Sequence, residues 1–171
     1  MNLVATRDNG LAPVLRSDAK LLLLGSFPGK ASLSEQQYYA HPRNQFWPIV
    51  GELIGVNLMR QSYQQRLASL QQAHLALWDV LGSCIRPGSL DASIRDAATN
   101  AFDEVLAGLP VLGAVAFNGA MAAKHAPFFQ QRGLQTYALP STSPAHASLR
   151  YAQKLERWSV LVTDGWMRPV L

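Results

Sequence analysis

The sequence is poor in cysteine, in charge and in long apolar runs. One cysteine, Cys84, occurs in 171 residues. That excludes an internal disulfide. It also excludes any iron–sulfur cluster or zinc site that needs several thiolates. The longest apolar stretches, Leu21 to Leu24 and Val111 to Phe117, are far too short to cross a bilayer. The N-terminus carries Arg7 and Asp8 and lacks the apolar core of a signal peptide. A soluble, cytoplasmic protein with no membrane partner is expected. His41, His74, His125 and His146 show no metal-ligand spacing, so neither a metal nor another cofactor is expected. A G-x-S-x-G elbow is absent, which counts against a serine hydrolase. No repeat, low-complexity segment or linker divides the chain, so residues 1–171 are expected to form a single domain.

What is present is an ordinary globular composition, 49% apolar and 15% charged. The chain is long enough to bury its own core. Fifteen basic residues face 11 acidic ones, for a net charge of +4. Eleven of the basic residues are arginine, whose planar donor fork suits phosphate. That is a mild bias towards anionic partners, which an incidental surface excess would also produce.

Four short apolar runs read as strands: Lys20–Leu24, His74–Val80, Val111–Phe117 and Gln135–Leu139. Continuous apolar runs suit strands buried on both faces, as in a parallel sheet. Helix-like segments alternate with them at Phe46–Ile54, Gln61–Gln71, Ala97–Ala107, Ala120–Phe129 and Ala147–Thr163. The last has an amphipathic face of Leu149, Ala152, Leu155, Trp158 and Val162. The alternation predicts an α/β protein, a three-layer α/β/α sandwich around a central, mainly parallel four-stranded sheet. Ligands in such folds sit beyond the carboxyl ends of the strands, so the segments after those ends carry the candidates.

The first segment, Gly25-Ser26-Phe27-Pro28-Gly29, is a tight turn whose exposed N–H groups suit an anion or a base edge. It is neither a Walker loop nor a dinucleotide fingerprint. The second, Tyr38 to Trp47, crowds four aromatic rings, an imidazole, a guanidinium and a carboxamide into ten residues. Phe46 and Trp47 read as core, with Asn44 as a helix N-cap. Aromatics beside basic groups also stack and clamp a nucleobase. In the third, Leu77-Trp78-Asp79-Val80 followed by Gly88-Ser89-Leu90-Asp91, Asp79 closes an apolar strand. It either caps the next turn or faces a pocket. Cys84 reads as filler. The fourth, Leu139-Pro140-Ser141-Thr142-Ser143-Pro144-Ala145-His146, is a rigid loop. It could approach a backbone closely, or merely cap the last helix.

In order and position these segments resemble the uracil-DNA glycosylase superfamily, over about residues 20–165. Gly25 to Gly29 is like its G-x-x-P-G turn. Tyr39-Ala40-His41-Pro42-Arg43-Asn44-Gln45-Phe46-Trp47 resembles the H-P-x-N-x-F-W stretch of the mismatch-specific branch. The Pro/Ser-rich loop stands where the family inserts into DNA. One departure is informative: the usual water-positioning Asp or Asn of the first motif is replaced by Ser26 and Phe27. The pattern G-S-F-P-G with Tyr-Tyr-x-His-Pro-x-Asn, Leu-Trp-Asp-Val and Gly-Ser-Leu-Asp is similar to the hypoxanthine-DNA glycosylase branch.

That resemblance implies a monofunctional glycosylase of base excision repair. Its substrate would be DNA containing deaminated bases, hypoxanthine favoured and uracil possible. A monomer is implied, bacterial-type and nucleoid-associated when on DNA. The catalytic residue carried over is Asn44, whose carbonyl would orient a water towards C1′. Ser26, Phe27, Tyr39 and Asp79 are the implied base-binding residues. The N–H groups of Ser26 and Phe27 would stabilise the departing base, and Tyr39 would stack on it. Arg43, Asn118, Ser141, Ser143, Pro144, Ala145 and His146 would meet the DNA, the last three as a wedge. A uracil- or mismatch-directed glycosylase, and a non-catalytic nucleic-acid-binding module of the same fold, are the alternatives. Asn44 separates them, since a binding module has no need of it.

Overall fold

A computed structural model describes residues 6–169. In chain order it begins with β1 (Arg7–Asn9), β2 (Leu21–Gly25), α1 (Lys30–Glu35), α2 (Phe46–Ile54) and α3 (Tyr63–Gln72). There follow β3 (Leu75–Asp79), β4 (Leu81–Ile85), β5 (Arg95–Thr99), α4 (Phe102–Ala107) and β6 (Ala114–Asn118). The chain continues through α5 (Ala120–Ala123), α6 (Ala126–Gln130), β7 (Gln135–Leu139), α7 (Tyr151–Trp158) and α8 (Val160–Thr163).

The four apolar runs form the expected sheet, in the order β3-β2-β6-β7, with every neighbouring pair parallel. β2, β3 and β6 are buried along their whole length, as continuous Leu, Val and Ala runs require. The registers pair Leu21 with Leu75, Leu21 with Ala114, and Ala114 with Gln135. The strands therefore end level with one another. Gly25 lies beside Asp79, and Asn118 beside Leu139. This common edge delivers the candidate segments to one place. No helix among the described residues is long and apolar enough to cross a membrane.

Several helix bounds differ from expectation for local reasons. α3 starts at Tyr63 because Ser62 and Gln65 form a reciprocal capping box. The predicted 120–129 helix divides at Pro127, at the start of α6, where a missing N–H and ring sterics break the ladder. The last predicted helix starts only at Tyr151 and is interrupted at Ser159. The predicted 97–107 helix is correct only from Phe102. Its first part belongs to β5, fully exposed and paired antiparallel to β4. With β1 this makes a second, three-stranded sheet of order β1-β4-β5, which the sequence reading did not anticipate.

Candidate active site

A cavity of about 740 Å³ opens at the carboxyl edge of the parallel sheet. Its walls come from all four strand-end segments, with Ser26, Asn44, Asp79 and Ser143 among the lining residues.

At its closed end Asp79 is 4% exposed, and its Oδ2 has no hydrogen-bond partner. The carboxyl caps no turn: the Asn100 amide donates to the Asp79 main-chain carbonyl instead. Burial, reinforced by the negative charge of Asp91 and opposed by Arg86, pushes the Asp79 carboxyl up to about 7. The buried Tyr39 hydroxyl makes no hydrogen bond of normal geometry; burial and the Asp79 charge push that phenol far up, opposed by the nearby Asn118 amide. Both groups flank Gly25. A Cβ there would lie 2.5 Å from Asp79 Oδ1 and 2.8 Å from the Tyr39 hydroxyl. Buried polar atoms without partners are rare; both residues that carry these two line the cavity.

Tyr39 holds a left-handed backbone, φ +53°, which is uncommon for a bulky residue. Its ring stacks on Phe46 at 4.0 Å and 18°. Phe46 is fully buried and Tyr39 lines the cavity, so one face of the ring is covered by Phe46. Tyr38, by contrast, is core, and its hydroxyl donates to the Ala12 carbonyl.

A stability measurement follows from Asp79. Its folded pKa lies above its ordinary value of 3.8. The protonated form therefore stabilises the fold below about pH 4, and that contribution is lost as pH rises through about 7. Asp79→Asn removes the titration. Thermal melts should favour the variant over wild type more at pH 8 than at pH 5; an equal difference at both would contradict the raised carboxyl.

The Gly25–Gly29 turn is strapped by residues 86–91. Ser26 Oγ donates to Asp91 at 2.8 Å, and the Lys30 N–H donates to Ser89 Oγ at 2.9 Å. Arg86, 5% exposed, donates to the Pro28 and Gly88 carbonyls, and its guanidinium lies 5.2 Å from the Phe27 ring centre. The Ser26 and Phe27 N–H groups donate to nothing among the described residues. Leu90, 55% exposed, stands at the rim. Ser89 lies within the Gly88-Ser89-Leu90-Asp91 motif, while nothing in the sequence singles out Arg86, two residues before that motif.

Asn44 lines the cavity and also caps. Its Oδ1 accepts from the Phe46 N–H at 2.9 Å and from the Thr142 hydroxyl at 2.8 Å. Gln45 occupies the formal N-cap position of α2, so the N-cap assignment moves by one residue while the side-chain cap stays with Asn44. Both lone pairs of the Asn44 carbonyl, the group expected to orient a water, are taken by these two bonds. Asn118 is 8% exposed, its Oδ1 accepts from the Thr142 N–H and its Nδ2 donates to Thr142 Oγ1. It braces the wall of the cavity that it lines. Thr142, fully buried, is the residue the sequence reading passed over. Its signal, a threonine between two serines and two prolines, does not distinguish it from its neighbours.

The rest of the last loop is arranged around local turns. Ser141 Oγ accepts from the Ser143 N–H and Ser143 Oγ from the Ala145 N–H, which leaves both hydroxyl protons free to donate. α7 is capped at Arg150, so these serines do not cap it. Lys154 is buried under the loop, its Nζ 3.4 Å from the Ser143 carbonyl. Ala145 is exposed, and Pro144 and His146 are half-buried at the mouth. Arg43 is exposed and also lines the cavity. All twelve predicted site residues line the one cavity.

The comparisons with known proteins agree with this geometry. The family model for the uracil DNA glycosylase superfamily matches residues 12–162. A protein of Methanosarcina acetivorans named hypoxanthine DNA glycosylase is 38% identical over 137 residues, 80% of this chain and 87% of that one. One of Methanosarcina barkeri with the same name is 36% identical over 140 residues, 82% of this chain and 89% of the relative. A solution NMR structure from Methanosarcina acetivorans, provisionally described as a uracil DNA glycosylase, superposes with a TM-score of 0.82 at 35% identity. It covers 91% of this chain and 96% of its own. A parallel sheet of this order, with its cavity at the carboxyl edge and relatives matched over most of their length, leaves one assignment: the chain belongs to the uracil DNA glycosylase superfamily.

Proposed function

We propose that this protein is a monofunctional DNA glycosylase that releases a deaminated base, hypoxanthine in preference to uracil, from DNA. The observation that carries the reading is the unpartnered pair at the closed end of the cavity, the Asp79 carboxyl and the Tyr39 hydroxyl on either side of Gly25. A lactam edge, N–H beside C=O, is the chemistry that completes them. Ionised Asp79 accepts from the ring N–H of hypoxanthine or uracil, and the Tyr39 hydroxyl donates to the adjacent carbonyl. Adenine presents an acceptor at that ring position, which an ionised carboxylate rejects. The cavity volume is in the range that encloses a small ligand.

Such a base must leave the helix to reach this depth. The loop carrying Pro144, Ala145 and His146 fits the gap it leaves, with the Ser141 and Ser143 hydroxyls and Arg43 towards phosphates. The departing base carries negative charge, which the Ser26 and Phe27 N–H groups meet. Lys30 is exposed and is the lysine that lines the cavity. No lysine is buried in it as a Schiff-base nucleophile would be, so the strand should stay intact.

The test is a single-turnover assay on oligonucleotides carrying deoxyinosine, deoxyuridine or deoxyxanthosine opposite each normal base. Release of hypoxanthine with an abasic, uncut product is the expected outcome. Failure to release any of the three bases would overturn the proposal.

A further inference from the structure

Two backbone N–H groups decide the orientation of both amides in the cavity wall. The Thr142 N–H needs an acceptor, so it fixes Asn118 with Oδ1 towards it, at 2.9 Å. The Asn118 Nδ2 then donates to Thr142 Oγ1, also at 2.9 Å. With its oxygen accepting there, the Thr142 hydroxyl sends its own proton to Asn44 Oδ1, 2.8 Å away. The Phe46 N–H reaches the same Oδ1 at 2.9 Å and independently demands an oxygen in that place. Flipping either amide would set a donor against a backbone donor. Asn44 therefore has its carbonyl turned into the wall and filled, and its Nδ2 donates to nothing among the described residues. The part of this side chain left for the cavity is an N–H.

We propose that Asn44 acts on the substrate as a hydrogen-bond donor through Nδ2, and that Thr142, held by Asn118, is the positioning residue that keeps it so. The inference rests on the glycosylase reading above. It assigns Asn44 to the leaving group. A donor aimed at the attacking water would occupy a lone pair and do nothing to make it nucleophilic. A donor aimed at the departing base meets charge that grows in the transition state. The C1′–N bond breaks with its electron pair passing to the base, and Asn44 Nδ2–H donates to an acceptor atom of that base as it becomes anionic. Water oxygen then bonds to C1′, and the proton it releases passes to solvent.

Asn44→Asp separates donor from acceptor. The carboxylate keeps the shape and accepts from both Phe46 N–H and Thr142 hydroxyl, so the wall is preserved. Its second oxygen cannot donate, yet it would orient and activate water better than an amide. Excision of hypoxanthine by N44D should be at least as slow as by N44A, about 10²-fold or more below wild type in kcat. N44D faster than N44A overturns the donor role. Thr142→Val removes the hydroxyl at nearly constant shape, and T142S restores it. T142V should lose about tenfold or more in kcat with KM little changed, and T142S should stay near wild type. Wild-type kcat in T142V, or equal losses in T142V and T142S, overturns the positioning role. If T142V does not fold, N44D against N44A still decides the donor question. No excision by the wild type on any deaminated base would bring down the glycosylase reading itself. An active wild type with a fast N44D would bring down this inference alone.

Discussion

Asn44→Ala should slow base excision by about 10²-fold or more, the scale on which one placed polar group is lost from an active site. It should do so in a folded protein. The variant removes the acceptor for the Phe46 N–H and the Thr142 hydroxyl, each worth about 1 kcal/mol. The melting temperature should fall by only a few degrees. The cap and the proposed donor role are not rivals, because different ends of one amide would serve them. Asp79→Ala belongs in the same experiment. If Asn44→Ala keeps nearly the full rate while Asp79→Ala abolishes it, the catalytic assignment moves to Asp79. If both retain the full rate, the glycosylase mechanism fails.

The other large effect is expected at Gly25. A methyl group there would sit 2.5 Å from Asp79 Oδ1 and 2.8 Å from the Tyr39 hydroxyl, closer than real carbon–oxygen contacts come. Neither neighbour can easily give way. Asp79 ends a buried strand, and Tyr39 is pinned by its stack on Phe46. Gly25→Ala should therefore displace both groups and fill the place where a base edge would rest. Misplacement by about 1 Å can cut rates about 10²-fold, and kcat/KM for hypoxanthine release should fall at least that far. Overpacking should destabilise the protein by about 1–3 kcal/mol. Binding to undamaged duplex, which uses the rim, should persist. A Gly25→Ala enzyme of near wild-type efficiency would show that the base does not reach this floor.

The parallel sheet was legible because Leu21–Leu24 and Ala114–Phe117 offer nothing polar to solvent on either face. The second sheet was not, because β5 is exposed at every position and carries no apolar period. Ala97 and Ala98 are good helix formers, and only the backbone ladder to β4 makes them a strand. Asn44 and Asp79 were legible as residue types at strand ends and through the family motifs. Their working condition was not. Which end of the Asn44 amide faces outward depends on Thr142 and Asn118, far off in sequence. Asp79 stands out only once its carboxyl proves to have no partner. Arg86 was equally hidden, since its contacts are the carbonyls of Pro28 and Gly88 and the ring of Phe27.

The bond from Thr142 to Asn44 closes a separation of 98 residues, and that from Ser26 to Asp91 one of 65. Contacts this distant form late, since the chain must first surrender the entropy of the loops between them. A nascent chain carries Asn44 early in synthesis, but its amide has no fixed handedness until the loop after β7 has been made and docked. Partly folded forms can own the helices and most of the sheet and still lack a reactive centre. On the proposed reading this ties base release to completion of the fold, so an immature or locally unfolded chain is silent rather than indiscriminate.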